Sequence, residues 1–426
     1  MKYYLETYGC SLSEFDSAVA ESLLSKGGHV KVFAPEEADC LLVNTCAVRL
    51  DTEQRIAERL QELASRFPEK RLVVMGCLAK ARPGLVARTA PKASLLSPQN
   101  VTRVLEVVES KKREVMLKGQ RDTSSLPHIS PKDATASIMI QEGCLGDCSF
   151  CITKVARRQV KSYAPRQIVE LVKELVSRGV VEIRLTGVDV GAYGWDLGRR
   201  PRLPDLLESI LEEVEGDYML RVGMMTPDLA LDMIDDLMEV YRDERVFKYF
   251  HLPVQSGDDK VLKVMNRKYT VDEFRELHRK IKAKYPDAMI ATDIIVGHPG
   301  EDQEAFENTL RLVRELRFEK VHLAQYSIRP HTRAAAMPQL PDSVKKARSK
   351  LLSAVVEEVG LSVMGSYLGK RVEALVTERG HREGTVTARL RNYVPVVASP
   401  PVPYGRWVEL EISGYTFFDI RGRTNL

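Results

Sequence analysis

The sequence predicts an α/β chain of three parts: an N-terminal open parallel-sheet α/β domain, a central partial (β/α)6 barrel and a C-terminal small antiparallel β-barrel. Strand-like and helix-like stretches alternate through the first third of the chain. A strand–helix alternation then repeats six times, and short β-rich pieces follow near the end. The length of 426 residues suits about three domains, which we expect at residues 1–125, 133–360 and 363–425.

The composition excludes several classes of protein. Apolar residues make up 44% and charged residues 29% of the chain, which is typical of globular and not of disordered proteins. The net charge of +4 argues against a wholly electrostatic nucleic-acid binder but allows a local basic face. No apolar run reaches the ~18 residues of a spanning helix, and no apolar signal segment follows Met1. We therefore expect a cytoplasmic protein without membrane contact.

In the first domain, each of three predicted strands ends shortly before a cysteine. The strands are predicted at Lys2–Thr7, Cys40–Asn44 and Arg71–Met75, with helices at Phe15–Ser25 and Thr52–Arg66. The cysteines that follow the strands are Cys10, Cys46 and Cys77. Because the carboxyl ends of parallel strands meet along one edge of a sheet, we expect these thiols to converge there. The alternative is that they are small hydrophobic core residues, which we expect for Cys40 at the opposite edge.

Residues 109–137 are predicted to link the first two domains. They show little periodicity and contain Pro127 and Pro131. A run of basic residues marks this linker, and we expect it to form a solvated face: Lys111, Lys112, Arg113, Lys118 and Arg121.

The middle domain contains six predicted strands with predicted helices between them. The strands are expected at Ile138–Gln141, Glu182–Thr186, Tyr218–Val222, Tyr249–Val254, Ile290–Val296 and Val321–Tyr326. Pro165 stands where a first helical residue needs no N–H, and Thr270 with Glu273 fits a capping box. Six βα units fall short of a closed eight-fold barrel, so the sequence predicts an open, partial one.

From about Val363 the helical alternation gives way to short strands that predict a small β-barrel. They are expected at Arg371–Thr377, Gly384–Arg389, Val394–Val397, Trp407–Ile412 and Phe417–Gly422. Arginines in this part are interleaved with aromatic residues such as Tyr393 and Trp407, a combination that suits single-stranded or looped RNA. The alternative is a β-domain that only packs against the other two.

A C-x3-C-x2-C loop follows the first strand of the middle domain. Its three cysteines are Cys144, Cys148 and Cys151. Thiolates suit iron–sulfur clusters or zinc, but a closed zinc site needs four ligands and no histidine stands nearby. Three thiolates on a 4Fe-4S cluster leave one iron open to an exogenous ligand.

This loop, with Phe150 before the last cysteine, resembles that of the radical S-adenosylmethionine (SAM) superfamily. The resemblance extends over nearly the whole chain to the methylthiotransferase family, whose C-terminal module is a TRAM domain. It rests on the segments GCLGDCSFCITKVARR, EIRLTGVDVGAYGWD, HLPVQSGDDKVLKVMNR, ATDIIVGHPGED and YSIRPHTRAA. The segments GVDVGAYG and LRVGMMTP most resemble the archaeal and eukaryotic branch, which acts on N6-threonylcarbamoyladenosine (t6A) at position 37, beside the tRNA anticodon.

The resemblance implies two 4Fe-4S clusters and SAM as cofactors. Cys144, Cys148 and Cys151 would hold the cluster that binds SAM, which on reduction yields a 5′-deoxyadenosyl radical. The other trio, Cys10, Cys46 and Cys77, would hold a second cluster that carries the sulfur to be donated. SAM would serve both as methyl donor and as the radical source that removes hydrogen from the adenine C2. The protein's part is to orient the cofactors and exclude water.

Further cofactor contacts are expected at the carboxyl ends of the barrel strands. By position, the resemblance implies roles in binding SAM for Thr186, Gly187, Asp189, Arg221, Gln255, Ser256, Asp293, Gly297 and Tyr326, with Ser327 and Arg329 beside them. Each has a plainer alternative: Asp293 could cap a helix, Arg221 could form a surface pair and Gly297 could only permit a turn.

Four positions depart from the family pattern without removing a cluster ligand. Ser13 stands where Asn is expected, Asp189 where many relatives have Asn, His298 where an aromatic residue is expected and His331 where Gly is usual. These departures bear on the fine specificity of the substrate pocket.

The leading hypothesis is therefore a monomeric tRNA methylthiotransferase acting on the anticodon stem-loop, with a low-potential ferredoxin- or flavodoxin-type electron donor and a sulfur source as partners. A second hypothesis keeps the chemistry but changes the target to isopentenyladenosine in tRNA or to an aspartate of a ribosomal protein. A third is a non-enzymatic iron–sulfur RNA-binding protein, which an open-iron cluster disfavours.

Overall fold

A computed structural model of the chain describes residues 1–129, 131, 133–198 and 202–424. The last residue of the third expected domain, 425, and linker residues 130 and 132 lie outside the described residues. No helix in the described ranges is long and apolar enough to cross a membrane.

The N-terminal domain is a six-stranded parallel sheet with helices on both faces. Its strands are β1 (Lys2–Thr7), β2 (Val30–Lys31), β3 (Cys40–Thr45), β4 (Arg71–Gly76), β5 (Ser94–Leu96) and β6 (Val115–Met116). They lie in the order β2-β1-β3-β4-β5-β6. The helices are α1 (Ser11–Lys26), α2 (Leu50–Arg66), α3 (Cys77–Ala81), α4 (Pro83–Thr89) and α5 (Val104–Glu109). The predicted open parallel sheet is confirmed.

The central strand β3 explains why this sheet forms. All six of its residues are buried, because helices cover both faces and the strand is apolar almost throughout. Helix α2 instead buries one stripe, Ile56, Leu60 and Leu63, and exposes its charged face.

The expected linker differs from the sequence prediction in two respects. Val115–Met116 pairs with β5 and extends the sheet by one strand. Arg121, expected on a solvated face, is 4% exposed, because its guanidinium pairs with the buried carboxylates of Asp16 and Glu142. Ion pairs between residues so far apart in sequence leave no local pattern from which burial could be inferred.

The middle domain is an open arc of six parallel strands. These are β7 (Thr135–Met139), β10 (Glu182–Thr186), β11 (Met219–Val222), β12 (Tyr249–His251), β13 (Met289–Val296) and β14 (Lys320–Gln325), and the hairpin β8 (Gln141–Glu142) and β9 (Lys161–Ser162) stands apart. Two three-stranded sheets, β11-β10-β7 and β12-β13-β14, are joined by parallel bridges from Leu220 to Val246 and from Met224 to His251. The predicted partial barrel is confirmed.

Helix α6 (Thr153–Ala156) of the middle domain packs against α3 of the N-terminal domain. The helices that follow it in this domain are α7 (Pro165–Ser177), α8 (Leu203–Glu213), α9 (Pro227–Leu231), α10 (Ile234–Val240), α11 (Asp259–Val264), α12 (Val271–Lys284), α13 (Gln303–Leu316) and α14 (Asp342–Gly365). Short 3-10 turns lie at Pro35–Glu37, Pro98–Arg103, Val190–Ala192, Trp195–Leu197 and Arg333–Ala336. The capping box predicted at Thr270 and Glu273 is present. Helix α14 runs through the boundary expected near residues 360–363.

The C-terminal part is a closed five-stranded barrel. Its strands are β15 (Arg371–Arg379), β16 (Val386–Arg389), β17 (Pro395–Ser399), β18 (Trp407–Tyr415) and β19 (Ile420–Arg423), in the cyclic order β15-β16-β17-β19-β18. Four pairings are antiparallel as predicted, and β17 pairs with β19 in parallel. This barrel docks at the amino ends of the central strands, where the Tyr393 hydroxyl donates to Glu182 Oε1 at 2.6 Å. The carboxyl ends of those strands lie at the opposite end of the arc, and the candidate functional site forms there.

Candidate functional site

The first cysteine trio lies where three neighbouring strands of the N-terminal sheet end. Cys10 is the N-cap of α1, Cys46 directly follows β3 and Cys77 begins α3 directly after β4. Burial raises the pKa of Cys77, and the charges of Cys46 and Cys10 also raise it, as expected for neighbouring thiols. We call Cys10, Cys46 and Cys77 the N-terminal trio. Cys40 is fully buried in the core, as predicted.

The N-terminal trio combines buried and accessible sulfurs. Cys46 and Cys77 are each 8% exposed, whereas Cys10 is exposed. Burial raises the pKa of the Cys77 thiol to about 11, and the Arg157 guanidinium opposes this rise. Metal coordination would remove these protons, since coordinated thiols are deprotonated. Three convergent thiols on a rigid sheet edge are a suitable donor set for an iron–sulfur cluster.

The second trio, Cys144, Cys148 and Cys151, is called the loop trio here, and its loop directly follows β8. Gly143 begins the loop with a φ of +89°, which favours glycine. The Gly146 N–H donates to Cys144 Sγ at 3.2 Å, and a Cβ on Gly146 would lie 3.3 Å from Cys144 Sγ and 3.7 Å from Cys148 Sγ. The backbone at Gly146 thus lies close to the sulfurs of Cys144 and Cys148, and this arrangement suits a bound cluster.

A cavity of about 540 Å³ lies beside the loop trio, with Cys151 in its wall, and residues 48–51, which follow Cys46 closely, also line it. Its walls come from three sources: the loop after Cys46, the loop that contains Cys151 and the ends of strands β13 and β14. The lining includes Val48, Arg49, Leu50, Asp51, Phe150, Cys151, Ile152, Thr153, Gln255, Asp293, His322, Tyr326, Ser327 and Arg329. This volume is within the range of small-molecule sites.

Several residues predicted to bind the cofactor line this cavity. Gln255 adopts a left-handed backbone with a φ of +67°, and its side-chain Oε1 is buried without a hydrogen-bond partner. The Tyr326 hydroxyl is likewise buried and unpartnered. Asp293 Oδ1 lies 3.1 Å from His251 Nε2, which lowers the pKa of that carboxyl although burial opposes the change. Buried polar atoms without partners are rare, so these are available for a ligand.

The other predicted residues lie outside the cavity lining and make contacts within the chain. The carboxylate of Asp189 is fully buried and accepts hydrogen bonds from Gly191 N at 3.2 Å, Thr226 N at 3.1 Å and Thr226 Oγ1 at 2.7 Å. Asp189 also lies near the loop trio, with Cys144 Sγ 3.8 Å from its Oδ2. Asp189 therefore connects Thr226 with the loop that contains Cys144.

Thr186 and Gly187 end β10 beside Gln141, whose side-chain amide donates to the Asp189 carbonyl. Ser256 forms a turn in which its hydroxyl accepts from the N–H of Asp258 at 3.3 Å.

Gly297 has a φ of +75°, and a Cβ there would lie 2.6 Å from Lys345 Cγ. At this position the close approach of α14 requires glycine.

Arg221 faces the interior of the arc but lies toward its amino end. Its guanidinium lies over the rings of Tyr249 at 4.9 Å and Tyr393 at 5.8 Å, and its Nε is buried without a partner. Tyr393 belongs to the C-terminal barrel, so Arg221 also connects two domains.

Sequence reasoning missed two arginines and two histidines at the site. Arg157 Nε donates to Cys77 Sγ at 3.3 Å, and Arg267 Nη1 donates to Cys148 Sγ at 3.2 Å. His251 and His322 lie with Asp293 in the arc, and their rings are 5.3 Å apart. Three of these four residues could have been found from the family resemblance, because they belong to segments that carry it: Arg157, His251 and Arg267.

The structure also shows the surroundings of the residues that depart from the family pattern. His298 is fully buried and lies 3.1 Å from the Ser149 hydroxyl within the loop trio's backbone. His331 has a φ of +65°, which explains why glycine is usual there. The Ser13 carbonyl accepts from Asn44 Nδ2 at 2.8 Å, one turn after Cys10.

Comparisons with known proteins agree with this geometry. A family model described as the radical SAM superfamily matches residues 138–313, and one described as uncharacterized protein family UPF0004 matches residues 2–97. A probable threonylcarbamoyladenosine tRNA methylthiotransferase of Pyrococcus abyssi is 38% identical, with 97% of this chain and 96% of that protein covered. The threonylcarbamoyladenosine tRNA methylthiotransferase of Danio rerio is 35% identical, over 96% of this chain and 76% of that protein.

Among solved structures, the radical SAM methyltransferase TsrM from Kitasatospora setae, with cobalamin and a 4Fe-4S cluster bound, superposes with a TM-score of 0.58. It is 12% identical and the match covers 78% of this chain and 77% of that one, so the likeness shows the fold alone.

Proposed function

Because this chain belongs to the family of threonylcarbamoyladenosine tRNA methylthiotransferases within the radical SAM superfamily, we propose that it transfers a methylthio group to C2 of t6A at tRNA position 37. The observation that carries the proposal is the cavity, which is lined by Cys151 of the loop trio and by residues 48–51, the segment just after Cys46 of the N-terminal trio. A nucleoside placed there would touch the loop trio and the segment next to the N-terminal trio, as a transfer that involves both would need.

The residues have distinct roles in this proposal. The loop trio holds the 4Fe-4S cluster that its superfamily uses with SAM, and the N-terminal trio holds a second cluster. When bound, these cofactors supply the methyl group and the radical chemistry. Gln255 and Tyr326 offer buried polar atoms, and Asp293 offers a partly exposed carboxylate, to position SAM and the adenine, while Phe150 and Ile152 exclude water.

Five other predicted residues hold the cofactor-binding loops in place: Thr186, Gly187, Asp189, Ser256 and Gly297. Arg221 offers a guanidinium for the carboxylate of SAM, although its place near the amino end of the arc would require that carboxylate to reach deep into the interior.

The C-terminal barrel is proposed to bind the anticodon stem-loop. Arg379, Arg382, Arg421 and Arg423 are exposed on it, and the Arg391 guanidinium lies 4.4 Å from the ring of Trp407. Basic and aromatic groups together suit an RNA backbone with unstacked bases. We further propose a cytoplasmic monomer that receives electrons from a ferredoxin- or flavodoxin-type donor and depends on a sulfur source.

The test of the substrate is mass spectrometry of nucleosides from tRNA incubated anaerobically with the protein, SAM, sulfide and a reductant. We expect t6A to gain a methylthio group. Parallel reactions with isopentenyladenosine-containing tRNA and with a ribosomal-protein aspartate test the other targets. Modification of either in place of t6A would overturn the substrate assignment.

The test of the cofactors is the iron and acid-labile sulfide content of anaerobic protein. We expect about eight irons in the wild type and about four when the loop trio is replaced by alanine. The complementary alanine replacement of the N-terminal trio should also leave about four. Four irons falling to none in the first variant would show that the N-terminal trio binds no cluster.

A further inference from the structure

Each cysteine trio has a sulfur that accepts a hydrogen bond from an arginine in the described part of the chain. Arg157 Nε lies 3.3 Å from Cys77 Sγ in the N-terminal trio, and Arg267 Nη1 lies 3.2 Å from Cys148 Sγ in the loop trio. Both distances are short for a bond to sulfur. The two arginines belong to different segments, so the contacts are independent observations.

Arg157 reaches the N-terminal trio across a domain boundary. It follows α6 of the middle domain, while Cys77 begins α3 of the N-terminal domain. Its Nη1 donates to Glu142 Oε1 at 2.6 Å and its Nη2 donates to Asp16. Arg121 binds the same two carboxylates, at 2.8 Å to Asp16 and 3.4 Å to Glu142. We call these four residues the Asp16 network.

The Asp16 network is almost completely withdrawn from water. Side-chain exposure is 0% for Asp16, 2% for Glu142 and 1% for each arginine. Two carboxylates and two guanidinium groups cancel in charge, but burying them is costly, and apolar residues of similar volume are often as stable or more stable. Stability alone therefore does not explain the network. The network holds the Arg157 guanidinium in one place, with its Nε–H directed at the Cys77 sulfur.

Arg267 is fixed in a different way. Its Nε donates to the Tyr269 hydroxyl at 2.9 Å and its Nη2 to the Pro253 carbonyl at 3.0 Å, which leaves Nη1 directed at Cys148 Sγ. The guanidinium also lies 5.1 Å from the Tyr269 ring. Two of these acceptors are neutral, so the positive charge of Arg267 is less compensated than that of Arg157.

Reduction of an iron–sulfur cluster adds one electron, and donors to the cluster sulfurs stabilise the more negative state. We propose that Arg157 and Arg267 are positioning residues, one for each cluster, that hydrogen-bond a ligand thiolate and raise the reduction potential of that cluster. The inference rests on the proposed function, because it requires both clusters. The weaker charge compensation at Arg267 predicts the larger effect there.

The test measures one cluster at a time in the full-length protein. Alanine replacement of the loop trio leaves the N-terminal cluster, and alanine replacement of the N-terminal trio leaves the other. Arg157→Lys and Arg267→Lys are placed in each background, and the midpoint potential is measured by dithionite titration followed by electron paramagnetic resonance. Lysine keeps the charge but cannot make the guanidinium's several directed bonds.

Each arginine variant should shift the potential of its own cluster and leave the other unchanged. We expect about a tenfold lower ratio of reduced to oxidised cluster at a fixed potential, which is about 59 mV for one electron. A background with four irons and an unchanged potential would overturn the inference. A loop-trio background that binds no iron would instead overturn the two-cluster assignment on which it rests.

Two further variants keep the inference testable if the lysine variants fail to fold. Glu142→Gln retains Oε1 as the acceptor for both arginines but removes a negative charge beside Arg157. The potential of the N-terminal cluster should then shift in the opposite, positive direction. Arg267→Gln keeps an N–H donor without the charge and should shift the other cluster negatively. A shift of the wrong sign in either variant would contradict the assigned role.

Discussion

At the scale of single residues, His278 on α12 makes the fold sensitive to acid. Burial, and after it the charge of Lys282, lowers the pKa of His278 from 6.5 to about 4, although a backbone contact at Leu316 and the charge of Glu315 oppose the shift. The neutral ring therefore stabilises the fold fully above pH 6.5, and this contribution is lost as the pH falls toward 4. The loss is on the order of 3 kcal/mol.

His278→Leu should consequently make the melting temperature less dependent on pH between about 7 and 5. Leucine can pack against Phe318, whose ring lies 5.9 Å from the imidazole. His381 is exposed, so His381→Leu is the matched control and should leave the slope as in the wild type. Equal slopes in all three proteins would show that His278 does not set the acid sensitivity.

Single residues were also where sequence reasoning was least complete. The six cysteines of the two trios are visible in the sequence because each follows a strand or belongs to a tight motif. Arg157 and Asp16 are 141 positions apart, and no local pattern links them. The family resemblance implies that Asp189 contacts the cofactor, and the structure adds that its carboxylate accepts hydrogen bonds from Thr226 and Gly191. Hydrogen-bond saturation of a buried group depends on tertiary packing.

At the scale of elements, two tight turns place cysteines from both trios. Gly76 precedes Cys77 with a φ of +94°, and a Cβ there would overlap the side-chain oxygen of Asn44. Gly143 precedes Cys144, and its Cβ would overlap the carbonyl of Gln159. Both positions combine a left-handed backbone with a blocked Cβ, so alanine cannot be accommodated without moving the cysteine.

Gly76→Ala and Gly143→Ala should therefore each reduce the iron content from about eight toward about four per chain, through loss of one cluster. Gly84 in α4 is the matched control, because the nearest atom to its Cβ would be 3.8 Å away. Gly84→Ala should keep full iron and stabilise the helix by about 0.5–1 kcal/mol. Full iron in the two turn variants would refute the steric argument.

Strands were the elements that sequence predicted best. Lys2–Thr7 and Glu182–Thr186 have the predicted bounds, because apolar runs in parallel sheets are distinct from their polar flanks. The two-residue strand Val115–Met116 was missed, since so short a run has no periodicity. Its place is fixed by pairing with β5 and not by its own residues.

At the scale of the whole molecule, two domains form the cavity and the third lies at the opposite end of the central strands. The cavity is walled by the N-terminal and middle domains, and the C-terminal barrel supplies the exposed basic strand β19. Arg421 and Arg423 alternate outward on that strand. Reversing both charges should weaken tRNA binding and flatten its dependence on salt by roughly one unit of logarithmic slope per lost phosphate contact.

The experiment is binding of tRNA to Arg421→Glu/Arg423→Glu across a range of salt concentrations. Cleavage of SAM on reduction should be unaffected, because the substitutions lie away from both trios. Lys26→Glu/Lys111→Glu makes the same change of charge on exposed residues of the N-terminal domain and serves as control. Equal loss of affinity in both variants would mean that net charge, and not this strand, governs RNA binding.

The docking of the C-terminal barrel against the amino ends of the central strands sets a minimum length for the substrate. The cysteine trios lie at the opposite ends, and the longest central strand, Met289–Val296, has 8 residues. At about 3.3 Å per residue it measures roughly 26 Å. A lone nucleoside can therefore reach the site or the barrel, but not both. If the barrel binds RNA as proposed, an RNA must extend at least this far from its reacting base to gain the second contact, and molecular size then becomes a criterion of selection.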